Sequence, residues 1–222
     1  METNSTIWSK MDDYFINKLI PNDAILEQVL QANKEAGIPE IDVSPMQGKL
    51  LYLLTKIKNA KHVLEIGTLG GYSSIWFARA LPENGRVYTL EINPEYAKIA
   101  KQNIGNAGFQ NKVELYVGNA LDTLPSLKEK GLSFDLIFID ADKQNNPHYL
   151  KWALELAKAG TLIIGDNVVR NGEVMDESSQ DERVQGIRQF MDILKNNPLV
   201  ESTAIQTVGS KGYDGFVLGV VK

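Results

Sequence analysis

The chain has 222 residues, 43% of them hydrophobic and 23% charged, with a net charge of −5 and no cysteine. Length and balance suit one globular domain with a sizeable core. Disulfides, thiolate metal sites and a cysteine nucleophile are excluded, and the acidic balance argues against a general nucleic-acid or anionic-membrane surface. No run approaches the ~18 apolar residues of a membrane helix. The start, "METNSTIWSKMDDYF", lacks a basic stretch followed by an apolar core, so no leader is expected and the cytoplasm is the expected location.

Residues 1–58 read as a helical cap. "SKMDDYFINKLI" has apolar residues near helical spacing and stops at Pro21. "NDAILEQVLQANKEAG" offers Asn22 or Asp23 as N-cap and Gly37 as terminator, and "SPMQGKLLYLLTKIK" offers Ser44 as N-cap with Pro45 in the first turn. With no evident strand to cover, these helices are expected to shield a sheet edge or to pair two copies of the chain as a homodimer.

Residues 59–222 read as an α/β core. Apolar runs at "HVLEIG" (62–67), "GRVYTLE" (85–91), "KVELYVGNA" (112–120), "FDLIFID" (134–140) and "GTLIIGD" (160–166) alternate with helical patterns near 73–80, 94–107, 121–129, 147–157 and 181–195. Runs apolar on consecutive residues suit strands buried on both faces, and the alternation suits βαβ units in a parallel sheet. "VESTAIQTV" (200–208) and "GFVLGVVK" (215–222) have no helix between them and predict a closing antiparallel hairpin joined by "GSKGYD".

Two sets of residues carry chemistry. In "VLEIGTLGGYSS" a strand is followed by Gly67, Gly70 and Gly71, then a helix start. Glycine permits close backbone approach and positive φ, although the G-x-x-G-G spacing is not the dinucleotide fingerprint. Glu65 lies inside the strand and needs a partner. Glu91 ends the next strand, where α/β folds hold ribose hydroxyls. Together these predict a nucleoside cofactor.

The second set closes "FDLIFIDADKQNN" and "GTLIIGDN". Asp140 and Asp142, two residues apart, share a face in extended chain. If the two strands are neighbours, their ends lie roughly 5 Å apart, and Asp140, Asp166 and Asn167 converge. Two carboxylates and an amide oxygen make a hard oxygen site suited to Mg²⁺, Mn²⁺ or Ca²⁺. The plainer alternative is a set of turn residues at strand ends. For Lys143 the plainer alternative is an ion pair with Asp142. Trp76 and Phe77 read as core, and His62 and His148 as structural.

"LEIGTLGGYS" with "LEINPE", "FIDADK" and "GDNV" resembles the cation-dependent class I S-adenosylmethionine-dependent O-methyltransferases of the catechol and caffeoyl-CoA type, from about Val43 to the end of the chain. The resemblance implies a Rossmann-like, mostly parallel seven-stranded sheet. It implies S-adenosylmethionine near Val43, Glu65, Gly67, Thr68, Gly71, Ser73, Glu91, Ala120 and Asp140. It implies a divalent cation, Mg²⁺ first, on Asp140, Asp166 and Asn167, the acceptor at Asp142 and Asn171, and Lys143 as general base. Where the family often has Thr, this chain has Val43, which carries no side-chain donor.

The implied acceptor is a small vicinal-dihydroxy phenol, a catechol, hydroxycinnamate or flavonoid. Some bacterial relatives instead methylate a hydroxylated uridine in tRNA, and the acidic charge weighs against that acceptor. A D-x-D phosphatase is a further alternative, but it expects Thr or Val after the second Asp and the motif on the first strand. A nucleoside-binding regulator leaves the oxygen ligands and Lys143 unexplained. The polar stretch 168–186 predicts a lid, and Lys211, Tyr213 and Asp214 are candidates to face the acceptor.

Overall fold

A computed structural model describes residues 3–222. Met1 and Glu2, the first residues of the expected cap and of the start read as leaderless, lie outside them. Three helices come first: α1 (Asn4–Leu19), α2 (Ala24–Glu35) and α3 (Pro45–Ile57). Their starts follow from local chemistry. The side chains of Thr3, Asp23 and Ser44 accept from the free N–H groups of Thr6, Leu26 and Gln47. Asp23 also takes a bidentate ion pair from Arg79, which fastens α2 to the core.

Five parallel strands follow, each but the last leading into a helix over the sheet: β1 (His62–Ile66), α4 (Tyr72–Ala80), β2 (Arg86–Glu91), α5 (Pro94–Asn106), β3 (Val113–Val117), α6 (Ala120–Glu129), β4 (Phe134–Ile139), α7 (Asn146–Leu156) and β5 (Ala157–Asp166). After β5 come a 3₁₀ segment (Arg170–Met175), α8 (Glu182–Asn196), β6 (Val200–Gly209) and β7 (Gly212–Val221). The strand order is β3-β2-β1-β4-β5-β7-β6, with β7 antiparallel to both neighbours.

The consecutive apolar residues of the central strands serve two cores. Leu64, Ile66, Ile137, Ile139 and Ile163 point to one face, against Leu124, Leu127, Leu150, Ile187 and Phe190 of α6, α7 and α8. Val63, Leu136, Phe138 and Ile164 point to the other, against Leu26, Leu51, Ile75, Phe77 and Ile104. Trp76 and Phe77 are core, as expected.

Three expectations are corrected. The last hairpin turns in two residues, Ser210 and Lys211, because Gly212 takes φ +100° and Tyr213 and Asp214 already belong to β7. β5 begins at Ala157, with the register shifting between Phe134 and Leu136. There the Thr161 hydroxyl donates to the Phe134 carbonyl at 2.7 Å. The first helix does have a strand to lie on: α1 packs on β6, and the Asp12 carboxylate accepts from Ser210 N at 2.7 Å. It buries no residue fully, and Tyr14 and Leu19 remain more than half exposed. Among the described residues, no helix is long and apolar enough to cross a membrane.

Candidate active site

The strand order reverses between β1 and β4, and a cavity of about 910 Å³ opens beyond the carboxyl ends of these strands. Open α/β sheets bind ligands at this point, because diverging crossovers leave a crevice there. Two walls meet in it.

The first wall is largely backbone. Gly67 lies at φ +102°, and a Cβ there would stand 2.1 Å from the Asp140 carbonyl, so only glycine lets the β1 loop pass the end of β4. Glu91 accepts from Leu69 N at 2.8 Å and from Asn93 N at 2.9 Å, which fixes the loop against the end of β2. Val43, Gly67, Thr68, Ser73, Glu91 and Ala120 all line the cavity. Gly71 does not; it caps α4 with φ +87°.

Glu65 is fully buried beneath the loop and off the cavity surface. One carboxylate oxygen accepts from the hydroxyls of Ser74 and Thr89, and the other has no partner. Burial pushes Glu65 up to about 7, against the hydrogen bonds from Ser74 and Thr89.

The second wall is made of side chains at the ends of β4 and β5. Asp140, Asp142, Lys143 and Asn167 line it. The Lys143 ammonium is buried and donates to Asp140 at 2.7 Å. The ion pair of Lys143 is therefore with Asp140 and not with Asp142. Asp142 instead accepts from the Tyr149 hydroxyl at 2.5 Å and from the Asn145 amide. Burial first, and the hydrogen bond to Asp142 next, push the Tyr149 phenol well above its ordinary value.

Asp166 sits just behind this wall, 4% exposed, and accepts from Gln47 Nε2 at 2.5 Å and from Asn167 N at 2.8 Å. Burial, and then the charge of Asp140, hold Asp166 well above the usual carboxylate range. Asn167 takes a left-handed φ of +56° that turns the chain at the strand end. Asn171 lies off the cavity, at φ +54° inside the 3₁₀ segment.

Several contributors left no local signal in the sequence. Gln47 reaches Asp166 from α3, 119 residues away. Asn103 donates to the Asn33 carbonyl oxygen and to Gly70 O, both at 2.9 Å, and Asn33 donates to Asp42 at 3.0 Å. That chain ties α5, α2 and the cap loop to the glycine turn. The Lys211 ammonium donates to the Asp42 carbonyl and joins the last hairpin to the same loop. Of the other hairpin candidates, Tyr213 bonds Gln206, and Asp214 supports the backbone of Val169 and Arg170.

Comparison with known proteins agrees with this architecture. The family model described as O-methyltransferase matches residues 18–218. A catechol O-methyltransferase of Niastella koreensis is 48% identical over 99% of this chain and 100% of its own. The crystal structure of an O-methyltransferase from Bacillus cereus in complex with SAH superposes with a TM-score of 0.97 at 55% identity, over 98% of this chain and 100% of that one. TomG, an O-methyltransferase of Streptomyces achromogenes involved in tomaymycin synthesis and solved with SAM, superposes with a TM-score of 0.96 at 44% identity, over 100% of both chains. With a seven-stranded sheet closed by an antiparallel hairpin and a family match across most of its length, the chain belongs to the O-methyltransferase family.

Proposed function

We propose that the protein transfers a methyl group from S-adenosylmethionine to one hydroxyl of a small vicinal-dihydroxy phenol, with a divalent cation on Asp140, Asp166 and Asn167. The observation that carries this reading is one cavity joining the glycine loop and Glu91 to Asp140, Lys143 and Asn167. Relatives named as catechol O-methyltransferases support the acceptor class. SAM or SAH in related crystal structures supports the donor.

The residues fit both groups. The β1 loop, Glu91 and Ala120 form a wall suited to a nucleoside, and Val43 closes it from the cap. At the other wall, two carboxylates stand close enough for the charge of Asp140 to raise Asp166. A cation relieves such a pair, and the oxygen donors suit a hard one. The donor supplies an electrophilic sulfonium methyl, and the cation supplies Lewis acidity toward acceptor oxygens.

The protein's own residues do the rest. Gln47 and the Asn167 N–H hold the Asp166 carboxylate in place. Tyr149 and Asn145 hold Asp142 at the acceptor end. Lys143 Nζ, at the cavity wall, is the group placed to take the acceptor's hydroxyl proton. A phenol with a pKa near 10 is almost wholly protonated at pH 7, so this proton transfer is the demand that the second wall meets.

The test is methyl transfer to catechol after exhaustive chelation and dialysis. Activity is expected at background, returning with added Mg²⁺ or Mn²⁺. Undiminished activity in chelated Asp140→Asn/Asp166→Asn protein removes the cation from the reading. Label entering tRNA in place of catechol moves the acceptor while leaving the donor site intact.

A further inference from the structure

Glycine inside a helix is less favourable than alanine, because it gives up more chain freedom on folding. α8 nevertheless carries Gly186 in its second turn. The residue is not at positive φ, so its backbone conformation does not call for glycine. Its neighbours do. A Cβ at this position would stand 2.2 Å from the Lys143 carbonyl oxygen, 2.7 Å from Gln144 Cα and 3.0 Å from the Gln144 carbonyl carbon. All three are main-chain atoms of the 3₁₀ turn Lys143–Asn145, and none can rotate aside. The backbone of α8 therefore lies directly against the backbone of the turn that carries Lys143.

The two sides of this contact differ in firmness. α8 is well seated: Val184, Ile187 and Phe190 are fully buried. Gln185 Nε2 and Arg188 Nε tie the same stretch of helix to the carbonyls of Ser179 at 2.7 Å and Val174 at 3.0 Å. The turn has less to hold it. It spans three residues, Asp142 gives it no side-chain cap, and Asn145 N reaches Asp142 O at 3.2 Å. Short 3₁₀ pieces have poorer hydrogen-bond geometry than α-helix, so the turn takes its position from what it rests on. From this turn the Lys143 side chain reaches the cavity wall, buried and paired with Asp140 at 2.7 Å.

We propose that Gly186 is a positioning residue for Lys143: by letting α8 and the turn meet backbone to backbone, it sets where Lys143 Nζ stands against the acceptor hydroxyl. This rests on the proposed function, in which Lys143 takes that proton. Gly186 is not in the lining of the cavity, so it acts through the turn and not on either substrate. A Cβ there must push the turn away by about 1 Å to restore ordinary contact distances. Misplacing a reacting group by that much costs on the order of 10²-fold. The loss belongs to turnover, because the wall assigned to the donor is built on other strands.

The experiment is a double-mutant cycle of wild type, Gly186→Ala, Lys143→Ala and the double variant. It reads kcat with catechol, S-adenosylmethionine and Mg²⁺, and measures donor affinity by calorimetry. Rates are taken per molecule competent to bind donor, which removes losses of folded protein. Gly186→Ala is expected to lower kcat by about 10²-fold with donor Kd unchanged. In the Lys143→Ala background the same substitution is expected to leave kcat unchanged, since the group it displaces is gone. A merely structural role would give equal losses in both backgrounds. If Gly186→Ala does not fold, Ile187→Ala takes its place: it loosens the seat of α8 without adding an atom at the turn, and its loss of turnover is expected to require Lys143 in the same way. Wild-type kcat in Gly186→Ala, or in Ile187→Ala where that variant stands in, overturns the inference, and so does a loss that persists undiminished without Lys143. In either case a Lys143→Ala defect leaves the proposed function standing. Wild-type turnover in Lys143→Ala itself removes the base from the proposed function, and this inference with it.

Discussion

At the β1–β2 end of the cavity the shape is set by the main chain. Gly67 leaves room for the Asp140 carbonyl, and Glu91 is committed to two backbone N–H groups. At the β4–β5 end the shape is set by side chains from distant segments: Gln47 on Asp166, Lys143 on Asp140, and Tyr149 on Asp142. A wall of backbone accepts one ligand shape and tolerates little change in sequence. A wall of side chains can be altered one residue at a time while the strands beneath stay where they are. On the proposed function, the first wall takes the invariant partner, the methyl donor, and the second takes the acceptor.

The largest effect is expected at the second wall. Lys143→Ala should lower turnover by ~10²–10⁴-fold, the usual worth of a positioned general base. The loss should be greater at pH 7 than at pH 9, where hydroxide in bulk water can take the proton. Steady-state rates at the two pH values decide it. An equal loss at both would reduce Lys143 to the ion pair it makes with Asp140. Unfolding temperature should change far less than turnover, since the lysine is held at the cavity wall and not within either apolar core.

The first wall should respond in the opposite way. Gly67→Ala places a Cβ against backbone atoms that cannot rotate aside, at a φ that L side chains avoid. Strain and overpacking together should cost about 3 kcal/mol, or roughly 6–12 °C in Tm for a chain of this size. Thermal unfolding measures it directly. A variant as stable as wild type would show that the loop has slack, and the contrast between the walls would fail.

The difference between the walls also decides what the sequence disclosed. Gly67 and Glu91 are legible because a strand, a glycine turn and a second strand end are contiguous patterns whose spacing is fixed by the βαβ unit. The gathering of Asp140, Asp166 and Asn167 at one end of the sheet is legible because β4 and β5 are parallel neighbours and bring their ends together. Gln47 is not legible, because nothing local to "SPMQG" says that the first turn of α3 meets the end of β5. The bond of Asp142 to Tyr149 in place of Lys143 is hidden for a related reason. It depends on β4 stopping at Ile139, so that Asp142 caps a 3₁₀ turn instead of extending the strand. The tight last hairpin was obscured by "GSKGYD", whose composition suits a long loop as well as a two-residue turn.

The smallest effect lies at the opposite end of the same strands, where no ligand is expected. Asp135 is one residue into β4 and joins three segments. It accepts from Lys61 N at 2.8 Å and His62 N at 2.9 Å, and pairs with Lys158 at 2.8 Å. Burial works against its ionisation, but Lys158 and the two backbone N–H groups prevail and hold its carboxyl down at about 2. A folded-state value below the unfolded one means that the carboxylate stabilises the fold above pH ~4. That stabilisation drains away as the pH falls from there toward 2. Asp135→Asn keeps the shape but loses the charge, so it should cost about 1–2 kcal/mol at pH 7. Urea unfolding of both proteins at pH 7, 4 and 3 should show the gap narrowing over the last step. Activity per folded molecule should be untouched, because Asp135 stands at the amino ends of the strands and the cavity at their carboxyl ends. A gap that stays constant down to pH 3 would mean that packing, and not the charge, holds this end of the sheet together.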